Sequence, residues 1–217
     1  MNKRNKIHFI LIIIFLVPNV VSAISVSGAS ISPWGGYNVA SSSAYDSLDS
    51  QYNNLNSLAS ASGYIATGKG GTRGGLAFGG DLWMSISPKT NIGFGIAYMP
   101  LYTIQWGATN APNSLGLSGT IGAVPVLAQA KMSLVAGLYL GGGIGYALGN
   151  GIITEKINEV TAFAKPQANA AAMMLMVGYD IVSTGLVKVG LEVRYYMILD
   201  AVALHNILPL AKIEFKF

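Results

Sequence analysis

Residues 207–217 read ILPLAKIEFKF, with an aromatic at the last position. From Ala211 onward the residues alternate, Ala211, Ile213, Phe215 and Phe217 on one face and Lys212, Glu214 and Lys216 on the other. A period of two is that of a β-strand. One face of this strand needs an apolar medium and the other a polar one, which a bilayer outside and a polar lumen inside would both supply. An amphipathic strand of a soluble sandwich alternates in the same way, so the decision passes to the rest of the chain.

The chain opens MNKRNKIHFILIIIFLVPNVVSA, with Lys3, Arg4 and Lys6 ahead of an apolar run from Phe9 to Val17 and a small-residue ending at Ala23. These are the parts of a secretory signal peptide. The expectation is cleavage after Ala23, a leader of 1–23 and a single domain over 24–217. The formal charge of +4 comes mostly from that leader: removing its three bases from 13 leaves ten Lys and Arg against nine Asp and Glu. No basic patch points to nucleic acid. Charged residues make up only 10% of the chain while hydrophobic ones reach 52%, so much of the surface faces something other than water. No mature segment is an apolar run of about twenty residues with helix-like composition. The nearest, Leu134 to Gly149, holds six glycines among its sixteen residues.

Eight strand-like segments follow the leader: Ser25 to Val39, Thr72 to Ile86, Asn91 to Trp106, Leu115 to Lys131, Leu134 to Gly149, Gln167 to Val182, Leu186 to Asp200, and the terminal stretch. In the third, Ile92, Phe94, Ile96, Tyr98, Tyr102, Ile104 and Trp106 are read as outward. In the seventh, Val187, Val189, Leu191, Val193 and Tyr195 oppose Lys188, Glu192 and Arg194. Ala40 to Gly70 is rich in Ser and Asn, but Tyr45, Leu48, Tyr52, Leu55 and Ala59 recur at helical spacing, with Asp46 and Asp49 on the polar side. Both a short helix and a flexible polar loop fit that stretch.

Connections after the second, fourth and sixth strands are short, and those after the first, third, fifth and seventh are longer (40–70, 107–114, 150–166 and 201–206). This alternation, with an even strand number, fits short periplasmic turns, long outer loops and both termini in the periplasm. Tyr98, Tyr102, Trp106 and Tyr146 toward the loop ends and Phe94, Tyr179, Phe215 and Phe217 toward the turn ends predict two aromatic girdles. Asp81, Lys131, Lys188, Glu192, Arg194, Lys212, Glu214 and Lys216 fall on inward faces. Eight strands enclose a space just wide enough for side chains, so these charges are expected to pair across the lumen.

The layout resembles the small eight-stranded outer-membrane barrels of bacteria: the OmpA membrane domain, OmpX, OmpW and the opacity-type adhesins. VPVLAQAKMS (Val124 to Ser133), YLGGGIGYALG (Tyr139 to Gly149) and the terminal KIEFKF carry the resemblance. It implies an all-β, eight-stranded antiparallel transmembrane barrel of up-and-down order in the outer membrane. It also implies a terminal strand, with Phe215 and Phe217, that the barrel-assembly machinery reads. Its partners would be outer-membrane lipid and an extracellular or host ligand met through the loops, and the chain would be a monomer. The function expected is a structural or adhesion role through those loops. The alternative is a small channel for hydrophobic or small solutes, with 40–70 as its lid.

A lipid-modifying barrel enzyme ranks last, since His205 is the one mature histidine and no motif surrounds it. The expectation is therefore no enzyme, no catalytic residue, no cofactor and no metal, one His without Cys being a poor donor set. Gly63 to Lys69 imitates the start of a phosphate loop, but Gly70 stands where a Ser or Thr would hold magnesium.

Overall fold

The structure, a computed structural model, describes residues 28–67, 70–158, 160–164, 169–199 and 203–217, with only the backbone described over 160–164. The leader and Ala23 lie outside the described residues, as does Asp200. The elements run β1 (Gly28–Ser41), α1 (Ser43–Ala61), β2 (Ile65–Ala66), β3 (Gly70–Arg73), β4 (Gly75–Ser85) and β5 (Thr90–Asn110). They continue with β6 (Asn113–Ser133), β7 (Leu138–Ile157), β8 (Val160–Ala164), β9 (Asn169–Ser183), β10 (Val187–Leu199) and β11 (Ala203–Lys216).

Eight of these strands close a ring in the order β1, β4, β5, β6, β7, β9, β10, β11, every neighbour antiparallel. The first and last strands seal it, with Ile31 opposite Phe215 and Val39 opposite Ile207. Closure leaves the ring without a free edge, as hydrocarbon requires of any spanning sheet. The outer wall is apolar on strand after strand: Ile31 and Tyr37, Leu76 and Leu82, Ile144 and Leu148, Leu175 and Val177, Leu191 and Val193, Ile207 and Ile213 are all exposed. Inward neighbours on the same strands are buried, many of them charged or polar.

Pro125 occupies the middle of β6. The register with β5 passes from Ile96–Val126 to Met99–Ala123 with no pair recorded at Pro125, so its missing N–H falls where that ladder is interrupted.

Three strands overrun the wall. β5, β6 and β7 are 21, 21 and 20 residues long, whereas about 9–11 tilted residues cross a bilayer. Much of the segments read as loops at 107–114 and 150–166 continues these strands, β7 running on to Ile157. The first closes in a tight turn at the cis Ala111–Pro112 bond, and the second folds back through β8. Residues 203–206, also read as loop, belong to β11. Beyond the membrane the wall need not be apolar. Its Ser, Thr, Asn and Gly residues therefore conceal a strand whose hydrogen-bond ladder simply continues.

The 40–70 stretch takes its helical alternative. Ser42 caps α1, its hydroxyl accepting the Ala44 N–H at 3.2 Å, and Asp46 sits in the first turn, where the helix dipole favours an anion. Tyr45, Tyr52 and Ala59 are buried and Leu48 is packed against them, while Leu55 stays at the exposed rim. The helix ends at Gly63, whose φ of 77° is left-handed, with the Tyr64 N–H donating to Ala59 O at 2.8 Å.

Candidate functional site

The lumen is filled in two layers. The layer toward the short turns contains four bases, Lys131, Lys188, Arg194 and Lys212, and four acids, Asp81, Asp180, Glu192 and Glu214, so its formal charge sums to zero. Lys131 Nζ reaches Glu214 Oε2 at 2.7 Å, and Lys212 Nζ lies 3.6 Å from the same oxygen. Arg194 donates to both carboxylate oxygens of Asp81, at 3.1 and 2.5 Å, and through Nε to Glu192. Asp180 takes Lys188 at 3.0 Å and Lys212 at 3.3 Å. Neutral donors complete the set: Ser30 to Glu214, Gln129 to Asp81 and Tyr139 to Glu192.

Aromatic faces cover three of these paired cations as well. Lys131 sits 4.3 Å above Trp83, Lys212 4.2 Å above Tyr139 and Arg194 4.8 Å from Trp34. Tyr139 reaches Glu192 by passing over Gly178, where a Cβ would stand 2.1 Å from its hydroxyl. Of the charges read as inward, Asp81, Lys131, Lys188, Glu192, Arg194, Lys212 and Glu214 meet in this layer. Lys216 lies apart, at the turn-end mouth beside Lys188 and Phe217.

Sequence reading missed Asp180, although it continues the inward series of Ala172, Met174, Met176 and Gly178, because β9 is apolar on both faces up to that point and so shows no polar side. It also passed over Trp34, Trp83 and Tyr139 as cation platforms. Their positions on charged, inward faces were the available signal.

Above this layer most buried lumen side chains are apolar, among them Met99, Leu101, Met174, Ile198 and Leu208, around a hydrogen-bonded Asn38–Asn206 pair, and α1 packs at its upper end on the β5 side. Tyr102 is fully buried, its ring between Tyr45 at 5.5 Å and Tyr52 at 6.4 Å, both close to parallel with it. Its hydroxyl donates to Asp49 Oδ1 at 2.5 Å, Arg73 bridges Asp46 and Asp49, and Trp106 Nε1 donates to Asn56 at 2.7 Å. Gly71 is required here, since a Cβ at that position would lie 1.8 Å from the Tyr102 oxygen.

Tyr102 and Trp106 therefore do not belong to a lipid-facing girdle, and Ile104, read with them as outward, is likewise buried. The β5–β6 register shifts between Pro100 and Tyr102, leaving Leu101 as an extra residue. One extra residue moves every later side chain to the opposite face. Of the other girdle residues, Phe94, Tyr146 and Tyr179 are exposed on the outer wall, and Tyr98 is half-buried there against Phe78, with ring centroids 5.3 Å apart. Tyr37 and Tyr195 are outward as well. His205, read as a loop residue, is on β11, where Nδ1 is 2.6 Å from the Tyr195 hydroxyl. Phe215 and Phe217 point outward at the terminal edge, and the Phe217 N–H donates to Ala29 O at 2.9 Å.

The lid responds to pH in a definite sense. Burial pushes the Asp49 carboxyl up, but hydrogen bonds from Tyr102 and Arg73 outweigh it and hold the group below its usual range. A carboxyl with a depressed pKa stabilises docking above its unfolded value and loses that contribution as pH falls through the folded one. Near-ultraviolet circular dichroism from the tyrosine stack is expected to be constant at neutral pH and to decline below about pH 3.9, the ordinary aspartate value. In Asp49→Asn the decline should be much reduced.

An apolar outer wall around a closed, charge-filled lumen defines a transmembrane β-barrel. Its particular form is the small eight-stranded, up-and-down kind with short turns at one end. No family model and no curated protein sequence matches the chain. Among solved structures it is similar to Ail, the attachment invasion locus protein of Yersinia pestis, at 11% identity over 89% of this chain and 100% of that one, with a TM-score of 0.49. Neisserial surface protein A matches at 13% identity over 89% and 99%, with a TM-score of 0.38. OprG of Pseudomonas aeruginosa matches at 10% over 88% and 97%, with a TM-score of 0.37.

Proposed function

We propose that the chain is a bacterial outer-membrane surface protein that keeps its lumen closed and acts through the structure carried at its loop end. The observation that carries this reading is the charge-balanced layer that spans the lumen, with α1 packed above it against Tyr102 of β5. Binding residues tend to sit where a rigid scaffold displays them. Here the display is β5, β6 and β7 extended past the wall, with β2 and β3 hydrogen-bonded along the edge of β5, α1 packed on the inner side and β8 along the far edge of β7. In this reading the short turns and both termini face the periplasm, and the leader is removed after Ala23. The terminal strand with Phe215 and Phe217 is the segment that the assembly machinery engages. The monomer meets an extracellular ligand through 40–70 and the two long hairpins.

The channel alternative needs a continuous path, and both layers oppose it. The test is current through a planar bilayer carrying refolded protein of residues 24–217, with folding shown by a gel shift on boiling. The expected trace is silent, and it stays silent when 43–61 is deleted, because the charged layer lies below the helix. Steady conductance from the intact protein would overturn the closed-lumen reading.

A further inference from the structure

A groove of about 360 Å³ lies on the outer face of the sheet where β5, β6 and β7 leave the apolar wall. Its side chains form a grid fixed by register. Ser118 stands opposite Thr154, Thr120 opposite Ile152, and Gly122 opposite Asn150. Thr120 also faces Thr103 across β5, their hydroxyls 3.4 Å apart. Gly122 carries no side chain in this grid and the Tyr98 ring leans over it: a Cβ there would lie 3.4 Å from the ring edge and 3.1 Å from Met99 O. The hollow thus has the Tyr98 ring on one side, the Ile152 side chain among the hydroxyl and amide groups of Ser118, Thr120, Thr154 and Asn150, and no lining residue that carries a formal charge.

That combination suits one chemistry. A neutral sugar ring offers C–H groups to an aromatic face and hydroxyls to small neutral donors and acceptors. An anionic group would find no cation among the lining residues, and an apolar one would strand the hydroxyls. The position selects the source. Immediately below lie Phe94 and Ile96 on β5, Val126 on β6, and Tyr146 and Leu148 on β7, all exposed and apolar. A molecule with its sugar in the groove can therefore lay an acyl chain down this wall.

We propose that the groove seats the neutral sugar headgroup of a membrane glycolipid. The inference rests on the membrane placement of the barrel, and it holds whether or not the lumen conducts.

The probe is dodecyl maltoside, titrated into refolded, isotope-labelled protein of residues 24–217 in zwitterionic phosphocholine micelles and followed by amide and methyl chemical shifts. Saturable shifts are expected around Tyr98, Ser118 to Gly122 and Asn150 to Thr154. The double variant Thr120→Val, Thr154→Val keeps the shape of the site and removes two hydroxyls. It should weaken binding about tenfold, the scale of two neutral hydrogen bonds, with the gel shift on boiling unchanged. Free maltose should give no saturable shift. Shifts spread along the apolar wall and indifferent to the double variant would mean acyl-chain contact alone. Equal affinity for free maltose would mean a soluble saccharide. Either result overturns the proposal.

Discussion

Arg194→Met is expected to destabilise the barrel more than any other single lumen substitution, by about 3–5 kcal/mol. The guanidinium joins Asp81 on β4 to Glu192 on its own strand and lies against Trp34. Methionine fills much of the same space but leaves two carboxylates buried and facing one another. The cost is that of orphaned charge rather than of lost packing. Urea titration of refolded protein in detergent, read by the gel shift on boiling, measures it. The compensated triple variant Arg194→Met, Asp81→Leu, Glu192→Leu should recover most of the loss, since a buried ion set replaced wholesale by apolar residues is often neutral. A triple variant as unstable as the single one would mean that the layer acts through shape rather than charge.

The second large effect is expected at Tyr102→Ala. It removes a fully buried ring from between two others, together with a hydrogen bond to Asp49. Aromatic truncations in packed interiors cost about 3–5 kcal/mol. Here the loss falls on the docking of α1 rather than on the ring of strands. Hydrogen exchange should show the amides of 43–61 losing protection by a factor of about 100 or more, the scale of that free energy, while β9 to β11 remain protected. Tyr102→Phe keeps the stack and should lose far less. Uniform loss of protection across the barrel would mean that the helix and the wall form one cooperative unit.

What the sequence discloses depends on which medium each segment faces. β10 and β11 were legible because lipid on one side and charge on the other enforce a period of two, and Gln129 with Lys131 set the facing of β6 for the same reason. The helical stripe of Tyr45, Leu48, Tyr52 and Ala59 was visible too. Its landing place was not, because the extra residue at Leu101 reverses the facing of Tyr102 and Trp106 without altering the alternation of residue types. Outside the membrane that constraint disappears, so the ends of β5, β6 and β7 read as loops. The lid contacts of Asp46 and Asp49 with Arg73 join residues 24 to 27 positions apart, and no local pattern connects them.

The partners in the charged layer come from strands far apart in the chain: Lys131 on β6 with Glu214 on β11, Asp81 on β4 with Arg194 on β10, and Tyr139 on β7 with Glu192 on β10. A sheet with only some of its strands in place would hold each of these groups without its counterpart, beside hydrocarbon that cannot solvate it. Incomplete forms are thereby penalised and the sealed ring is favoured. The same residues that fill the lumen thus make closure all-or-none, a checkpoint on assembly written into the interior of the product.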